Sequence, residues 1–239
     1  MKNHPVLNFL GIGSAFNTNF NNTSAYFEHE DSLFLIDCGE GIFETLYKMK
    51  LLQKYPNINI LITHTHPDHV ATLGHLILYC FYELNKKARI LFPEESLILS
   101  FLSSIGVAEK TFDLIPLKNS LIYEDKITII PVRQIHVTDI PCFGYLIETE
   151  ESNFFYSGDA KTIDEIIIDR FLKDEIKFLY QDTCSENHNG TGPHLSLEEL
   201  SLLIPSEKRN RVFCIHLDSN FDFKLALSLG FQIPEQIQI

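Results

Sequence analysis

Residues 58–69 read INILITHTHPDH, and this segment is the most informative about the fold of the chain. Its first five residues are apolar apart from Asn59 and rich in β-branched side chains, which predicts a buried strand. Three histidines and an aspartate then fall within six positions, and an apolar segment with helical spacing follows them. The stretch therefore predicts a polar loop that joins a buried strand to a helix.

The four polar residues of this loop have the chemistry of metal ligands. In extended backbone, His64 and His66 project to the same side, whereas Asp68 and His69 lie further round the turn and face a second point. Imidazole and carboxylate together suit zinc, manganese or iron. Taken singly, Asp68 is also a good helix cap, and a lone histidine is more often an ordinary polar residue. The cluster as a whole predicts a site that serves two metal ions.

Length and charge limit the class of protein. A chain of 239 residues is the size of one α/β domain, so we expect a single domain spanning residues 1–239. The five cysteines are spread singly, and the N-terminus has no signal-peptide pattern. These features predict a cytoplasmic protein, with no membrane segment. The net charge of −13 disfavours binding to long nucleic acid and favours a small substrate.

Strand-like and helical segments alternate through both halves of the chain, which predicts an α/β fold. We predict ten strands, at residues 6–11, 24–29, 33–37, 58–62, 88–92, 126–132, 143–149, 153–157, 177–181 and 211–215. We predict six helices, at residues 41–53, 68–84, 94–103, 163–172, 196–203 and 222–229.

The polar loop carries the H-x-H-x-D-H signature of the metallo-β-lactamase superfamily, which the chain resembles over nearly its whole length. The resemblance implies an αββα sandwich, in which two mixed sheets are flanked by helices. It also implies further ligands at downstream strand ends, where His136, Asp159 and His216 stand. Taken singly, each of these three residues could equally be an ordinary turn or strand-end residue without a metal. The implied set places one ion on His64, His66 and His136 and a second on Asp68, His69 and His216, with Asp159 bridging.

Three further segments resemble ribonuclease Z and its smaller phosphodiesterase relatives. Residues 7–15 read LNFLGIGSA and residues 35–41 read LIDCGEG, in which Asp37 stands at a strand end and can orient a ligand histidine. Residues 193–196 read PHLS and resemble the H-x-[ST] motif of this branch. By that resemblance, His194 is the general acid that protonates the leaving group.

Local patterns around His194 have simpler interpretations as well. Ser196 is a predicted helix N-cap, with Glu199 three positions later to complete a capping box. His188, in the loop at residues 186–193, is more simply a surface residue, although contact with substrate is an alternative.

The chain departs from ribonuclease Z between His136 and Asp159. The tRNA-processing enzymes of that family usually carry a long tRNA-gripping arm there, whereas this chain has room only for a turn and two strands. The resemblance is therefore to the arm-less phosphodiesterases that hydrolyse cyclic nucleotides, including the anti-Pycsar type found in phages. A base would be held by stacking on an aromatic side chain, for which Phe16, Phe20, Tyr145 and Phe221 are candidates.

The expected activity is hydrolysis of a small phosphodiester, with a cyclic nucleotide as the leading substrate. The resemblance implies two divalent cations, zinc or alternatively manganese, that activate a bridging hydroxide, which Asp68 orients while it also ligates. Relatives are commonly dimers, so we expect a homodimer. The alternatives are a tRNA 3′-end endonuclease, a thioester or lactone hydrolase of the same fold, and a metal or nucleotide sensor that has lost catalysis.

Overall fold

The computed structural model describes residues 6–124, 126–150, 152–186 and 191–238. The chain divides into two compact units, and the described parts of the first are residues 6–15, 19–118 and 236–238. The second unit consists of the described parts of 16–18 and 119–235. Each unit contains one sheet, and the prediction of a single domain stays a prediction.

The first unit contains a six-stranded sheet in the order β1-β2-β3-β4-β5-β6. The strands are β1 (Asn8–Gly11), β2 (Ser24–His29), β3 (Ser32–Ile36), β4 (Asn57–Leu61), β5 (Ala88–Phe92) and β6 (Phe112–Pro116). Strands β1, β2 and β3 pair antiparallel, whereas β3 to β6 run parallel. Every residue of β3 is buried, as is usual for a parallel strand covered on both faces. The carboxyl ends of β3 and β4 therefore lie side by side at one edge.

Two predicted helices of this unit are each divided in two. The helices are α1 (Ile42–Lys48), α2 (Leu51–Lys54), α3 (Pro67–Val70), α4 (Leu73–Tyr82) and α5 (Glu95–Ser104). Between α1 and α2, Lys50 has a left-handed backbone with φ of 53°. Between α3 and α4, the hydroxyl of Thr72 donates to the carbonyl of Gly39 at 2.6 Å. This tertiary bond, to a residue 33 positions earlier in the chain, coincides with the break, where Thr72 has φ of −108° and ψ of 8°.

The second unit contains a six-stranded sheet in the order β12-β11-β10-β9-β8-β7. The strands are β7 (Leu121–Tyr123), β8 (Ile127–Gln134), β9 (Cys142–Thr149), β10 (Asn153–Tyr156), β11 (Phe178–Asp182) and β12 (Val212–Ile215). Strands β7 to β10 pair antiparallel, and β10, β11 and β12 run parallel. Because β9 is antiparallel to both of its neighbours, β8 points the same way as β10. The carboxyl ends of β8, β10, β11 and β12 therefore share one edge.

The helices of the second unit begin at capped positions. They are α6 (Glu165–Leu172), α7 (Leu197–Leu203) and α8 (Phe223–Ser228). Asp164 caps α6, and Asp222 caps α8. The predicted capping box of α7 is confirmed, because Ser196 accepts from the backbone of Glu199 while the Glu199 carboxylate accepts from the backbone of Ser196.

The sheets match the predicted fold class, with two strands more than predicted. All ten predicted strands are present, and the two additional strands, β6 and β7, form the outer edges of the two sheets. Both are only partly buried, so neither carries the continuous apolar run that marks a central strand. Within the described ranges, no helix is both long enough and apolar enough to cross a membrane.

Candidate metal centre

The first unit assembles four of the predicted ligands, His64, His66, Asp68 and His69, which we call the first ligand group. His64 and His66 lie in the loop between β4 and α3, Asp68 and His69 lie in α3, and all but the half-buried His66 are buried. The Nε2 of His64 lies 2.9 Å from the Nδ1 of His66. The Nε2 of His69 lies 3.3 Å from the Oδ2 of Asp68. The group therefore presents two pairs of donor atoms, as the spacing of the motif predicts.

Asp37, directly after β3, orients this group. Its carboxylate is fully buried and accepts from the Nδ1 of His69 at 2.8 Å and from the backbone N–H and hydroxyl of Thr63 at 2.8 and 2.7 Å. Burial raises the pKa of Asp37, and these bonds oppose the rise. Because Nδ1 of His69 donates its proton, Nε2 carries the lone pair that a metal requires. The structure thus contains the hydrogen bond that the predicted role of Asp37 requires, and ligation by His69 stays a prediction.

The segment after Asp37 packs directly against the ligand loop. The backbone N–H of Cys38 donates to the carbonyl of His69 at 2.8 Å. A Cβ at Gly39 would lie 1.9 Å from the carbonyl oxygen of Asp68, so only glycine permits this approach. The D-C-G sequence at residues 37–39 therefore supports the ligand loop through its backbone.

The second unit assembles the other three predicted ligands, His136, Asp159 and His216, which we call the second ligand group. They follow β8, β10 and β12, whose carboxyl ends share one edge of the sheet. The Oδ2 of Asp159 lies 3.5 Å from the Nε2 of His136, and its Oδ1 lies 3.4 Å from the Nε2 of His216. The two oxygens of one buried carboxylate thus face two different histidines, as a bridging ligand requires.

The donor pairs have the separation expected of neighbours on one ion. Two ligands at a Zn–N distance of about 2.05 Å and a tetrahedral angle lie about 3.3 Å apart. The two pairs of the first ligand group are separated by 2.9 and 3.3 Å, and the two pairs of the second by 3.4 and 3.5 Å. Each unit therefore offers two pairs of nitrogen and oxygen donors that fit divalent metal ions.

Asp182, at the end of β11, belongs to the candidate site but is not among the residues predicted from the sequence. It is fully buried, and its Oδ2 accepts from the Nδ1 of His194 at 2.6 Å and from the backbone N–H of Ala160 at 2.9 Å. Its Oδ1 lies 3.4 Å from the Nδ1 of His216. The available signal was a carboxylate at the end of a predicted strand, the same signal that marked Asp159.

His194 lies among these residues, as the resemblance implied. Its ring centroid is 4.9 Å from that of His216 and 5.1 Å from that of His136. Asp159, Asp182, His194 and His216 also present donor atoms within 4.8 Å of one another. The predicted general acid therefore stands beside two predicted ligands in the same unit.

The pKa values of His194 and His136 shift in opposite directions. Burial lowers the pKa of His136, which favours the neutral imidazole of a ligand, and its Nδ1 donates to the carbonyl of Pro193 at 3.2 Å. Burial also lowers the pKa of His194, but attraction and hydrogen bonding to Asp182 outweigh that effect and raise it above the ordinary value. The same pairing holds the pKa of the Asp182 carboxyl low despite its burial. His194 is thus suited to carry a proton.

Unusual backbone conformations coincide with the ligands. His216 has φ of 57° and Asp37 has φ of 62°, and Gly158, just before Asp159, has φ of 60°. A left-handed conformation costs a residue with a side chain roughly 1–2 kcal/mol. Such strain is commonly found at functional sites, and Asp37 and His216 each stand directly after a strand.

Every residue predicted to ligate or to donate a proton lies in one of these two groups or beside them. The assignment of individual ligands to each of two ions stays a prediction. His188 lies outside the described residues.

The model of the family described as "Anti-Pycsar protein Apyc1" matches residues 6–231 of the chain. An Anti-Pycsar protein Apyc1 from Paenibacillus harenae is 27% identical over 231 residues, which cover 90% of this chain and 91% of the relative. A ribonuclease Z from Phocaeicola vulgatus is 34% identical over 163 residues, covering 61% of this chain and 49% of that enzyme.

The solved structures include the metallo-β-lactamase fold protein YhfI from Bacillus subtilis. It superposes with a TM-score of 0.75 at 16% identity, covering 95% of this chain and 94% of YhfI. This likeness confirms the predicted fold, and the match to ribonuclease Z confirms the predicted branch. The chain therefore belongs to the Anti-Pycsar protein Apyc1 family, within the ribonuclease Z-like branch of the metallo-β-lactamase superfamily of metal-dependent hydrolases.

Proposed function

We propose that this protein hydrolyses cyclic nucleotides with the aid of two bound divalent cations. Following the ligand order of the superfamily, His64, His66 and His136 would hold one ion and Asp68, His69 and His216 the other, and Asp159 would serve both. Bound cations of this kind activate water for attack and stabilise the negative charge that develops on a phosphodiester. Zinc is the favoured metal for this donor set, and manganese is the alternative.

The proposal rests on the separations of the donor atoms, which in both ligand groups suit neighbouring ligands of one ion. Each group presents two pairs, and in the second group both pairs share the carboxylate of Asp159. One ion with about four ligands would leave part of this set of seven ligating residues unused. Two ions account for all the donors.

The His194–Asp182 pair supports a phosphodiester over a thioester. A departing ribose hydroxyl has a pKa far above neutral and leaves readily only when it receives a proton, whereas a thiol of pKa about 8.5 can leave as the anion. His194 has its pKa raised by Asp182 and stands beside the ligand histidines. A built-in proton donor is therefore most useful for an alcohol leaving group.

Two features support a small substrate over a precursor tRNA. The described residues between His136 and Asp159 form only a short turn, β9 and β10, so the long arm of the tRNA-processing enzymes has no counterpart there. The net charge of −13 also opposes contact with an extended phosphate backbone. Membership of the Anti-Pycsar protein Apyc1 family also supports cyclic nucleotides as the substrate class.

The test is a hydrolysis panel with metal-analysed protein. The substrates are cyclic AMP, cyclic GMP, cyclic CMP, cyclic UMP, bis(p-nitrophenyl) phosphate, a thioester, a lactone and a precursor tRNA, with His64→Ala as the control. We expect two metal equivalents per chain and metal-dependent turnover of at least one cyclic nucleotide, without tRNA cleavage. Light scattering on the same sample tests the predicted homodimer.

Other outcomes assign the protein elsewhere. Two bound metals without turnover of any phosphodiester would overturn the proposal and direct attention to the thioester and the lactone. Cleavage of the precursor tRNA alone would identify a ribonuclease Z activity. Nucleotide binding without turnover of any substrate would identify a sensor.

A further inference from the structure

The segment at residues 16–18 carries an exposed aromatic side chain and is hydrogen-bonded to the residue that follows His216. Of the four aromatic residues considered for base stacking, Tyr145 and Phe221 are buried and Phe20 is half-buried. Phe16 is 92% exposed. Burial therefore leaves Phe16 as the one of these four that offers a whole ring face to a ligand.

The position of Phe16 is determined by its neighbour. Asn17 is buried, and its Nδ2 donates at 2.8 Å to the carbonyl oxygen of Leu217, which directly follows the ligand His216. Leu217 is itself fully buried, and residues 16–18 belong to the second unit. Because consecutive Cα atoms lie about 3.8 Å apart, this bond holds Phe16 close to the edge of the sheet that carries His216.

Exposure alone would be unremarkable, since single apolar side chains are common on protein surfaces. Leu202, for example, is 81% exposed on α7 of the same unit. The difference is the anchor, because Asn17 ties the loop to the residue next to a predicted ligand, whereas Leu202 stands on a helix surface.

We propose that Phe16 is a stacking platform for the nucleobase of the substrate. This inference rests on the proposed hydrolysis of cyclic nucleotides and adds the residue that distinguishes a nucleotide from other phosphodiesters. Stacking on one aromatic face is tolerant of base identity, because every base has a π face. Phe16 thus contributes to recognition of a base as such and leaves the choice among bases to other contacts.

The experiment compares a cyclic nucleotide with a base-free analogue, ribose 3′,5′-cyclic phosphate, in metal-loaded wild-type protein and in Phe16→Ala. Loss of stacking predicts that kcat/KM for the nucleotide falls roughly 5- to 100-fold, mainly through KM, while kcat/KM for the base-free analogue stays within about twofold. Phe16→Trp should retain the wild-type preference. Leu202→Ala is the matched control for loss of an exposed apolar side chain, and it should change neither substrate.

Calorimetric titration with a non-hydrolysable cyclic nucleotide provides a second readout, and Phe16→Ala should weaken this binding by a similar factor. Equal losses on both substrates, or no loss on either, would overturn the stacking role, as would wild-type protein that binds no nucleotide. Failure of the proposed function is recognised separately, because wild-type protein would then hydrolyse no cyclic nucleotide before any variant is compared.

Discussion

Replacing Asp182 by asparagine isolates the electrostatic part of the candidate proton donor. The side chain is fully buried, and its Oδ2 accepts from both His194 and the backbone of Ala160. Asparagine has nearly the same shape, and its carbonyl oxygen can accept the same two bonds. The substitution therefore removes one negative charge at nearly constant volume, and because Oδ1 also lies 3.4 Å from the Nδ1 of His216, metal content is measured alongside activity.

The expected loss follows from the strength of the affected bond. A hydrogen bond to a charged group contributes about 1.5–3 kcal/mol, and a neutral one about 0.5–1.5 kcal/mol. The difference, about 1–2 kcal/mol, corresponds to a roughly 5- to 30-fold lower kcat if the protonated His194 is needed in the transition state. The two metals should remain bound at saturating metal concentration.

The pH dependence of kcat gives the sharper test. A general acid works while it is protonated, so activity falls as the pH rises through its pKa. Asp182 raises the pKa of His194, and its loss of charge should lower that pKa and move the alkaline limb of the profile to lower pH. Asp218→Asn is the control, because it also removes one carboxylate charge from the same unit, but the Asp218 carboxylate accepts from the backbone N–H and hydroxyl of Ser185.

The profile is measured on cyclic-nucleotide hydrolysis, with metal content determined on every sample. An alkaline limb that stays in place in fully metal-loaded Asp182→Asn would refute the assignment of His194 as the acid. A loss of kcat that only follows loss of metal would refute it as well, and so would an equal shift in Asp218→Asn.

Two further predictions concern the metals. Asp37→Asn should weaken metal affinity by about 10- to 100-fold, because His69 loses the carboxylate that orients it; competition with a chromophoric chelator measures this, and unchanged affinity would contradict the orienting role. Asp159→Ala should lose both metal and turnover, whereas His194→Ala should keep two metals per chain and lose about 10²-fold or more in kcat. Elemental analysis beside kinetics separates the two, and metal loss in His194→Ala would show that His194 is a ligand.

Much of the site was predictable because its chemistry is encoded locally. Residues 64–69 contain four predicted ligands within six positions, and the buried strand before them has its own apolar pattern. His136, Asp159 and His216 each follow a predicted strand, so their place at a sheet edge could also be inferred. In the structure, the carboxylate of Asp159 lies within 3.5 Å of ring nitrogens of both His136 and His216.

Other features depend on contacts between residues far apart in the chain. The helix predicted at residues 68–84 is broken because Thr72 bonds to Gly39, more than thirty positions away. Strands β6 and β7 exist because a neighbouring strand offers hydrogen-bonding partners, although their own side chains are only partly buried. The periodicity of a short segment does not reveal such partners, because they lie far away in the sequence.

The fold class, the branch of the superfamily and the kinds of predicted ligand atom can be read from the sequence, because each is expressed in residue identity and short spacing. Only the tertiary structure decided that Asp182 pairs with His194 and that Phe16 is exposed while Tyr145 and Phe221 are buried. Pairing and burial depend on which segments, distant in the chain, pack together in the fold. The pKa of a buried group also depends on this packing, because neighbouring groups in space determine the pKa.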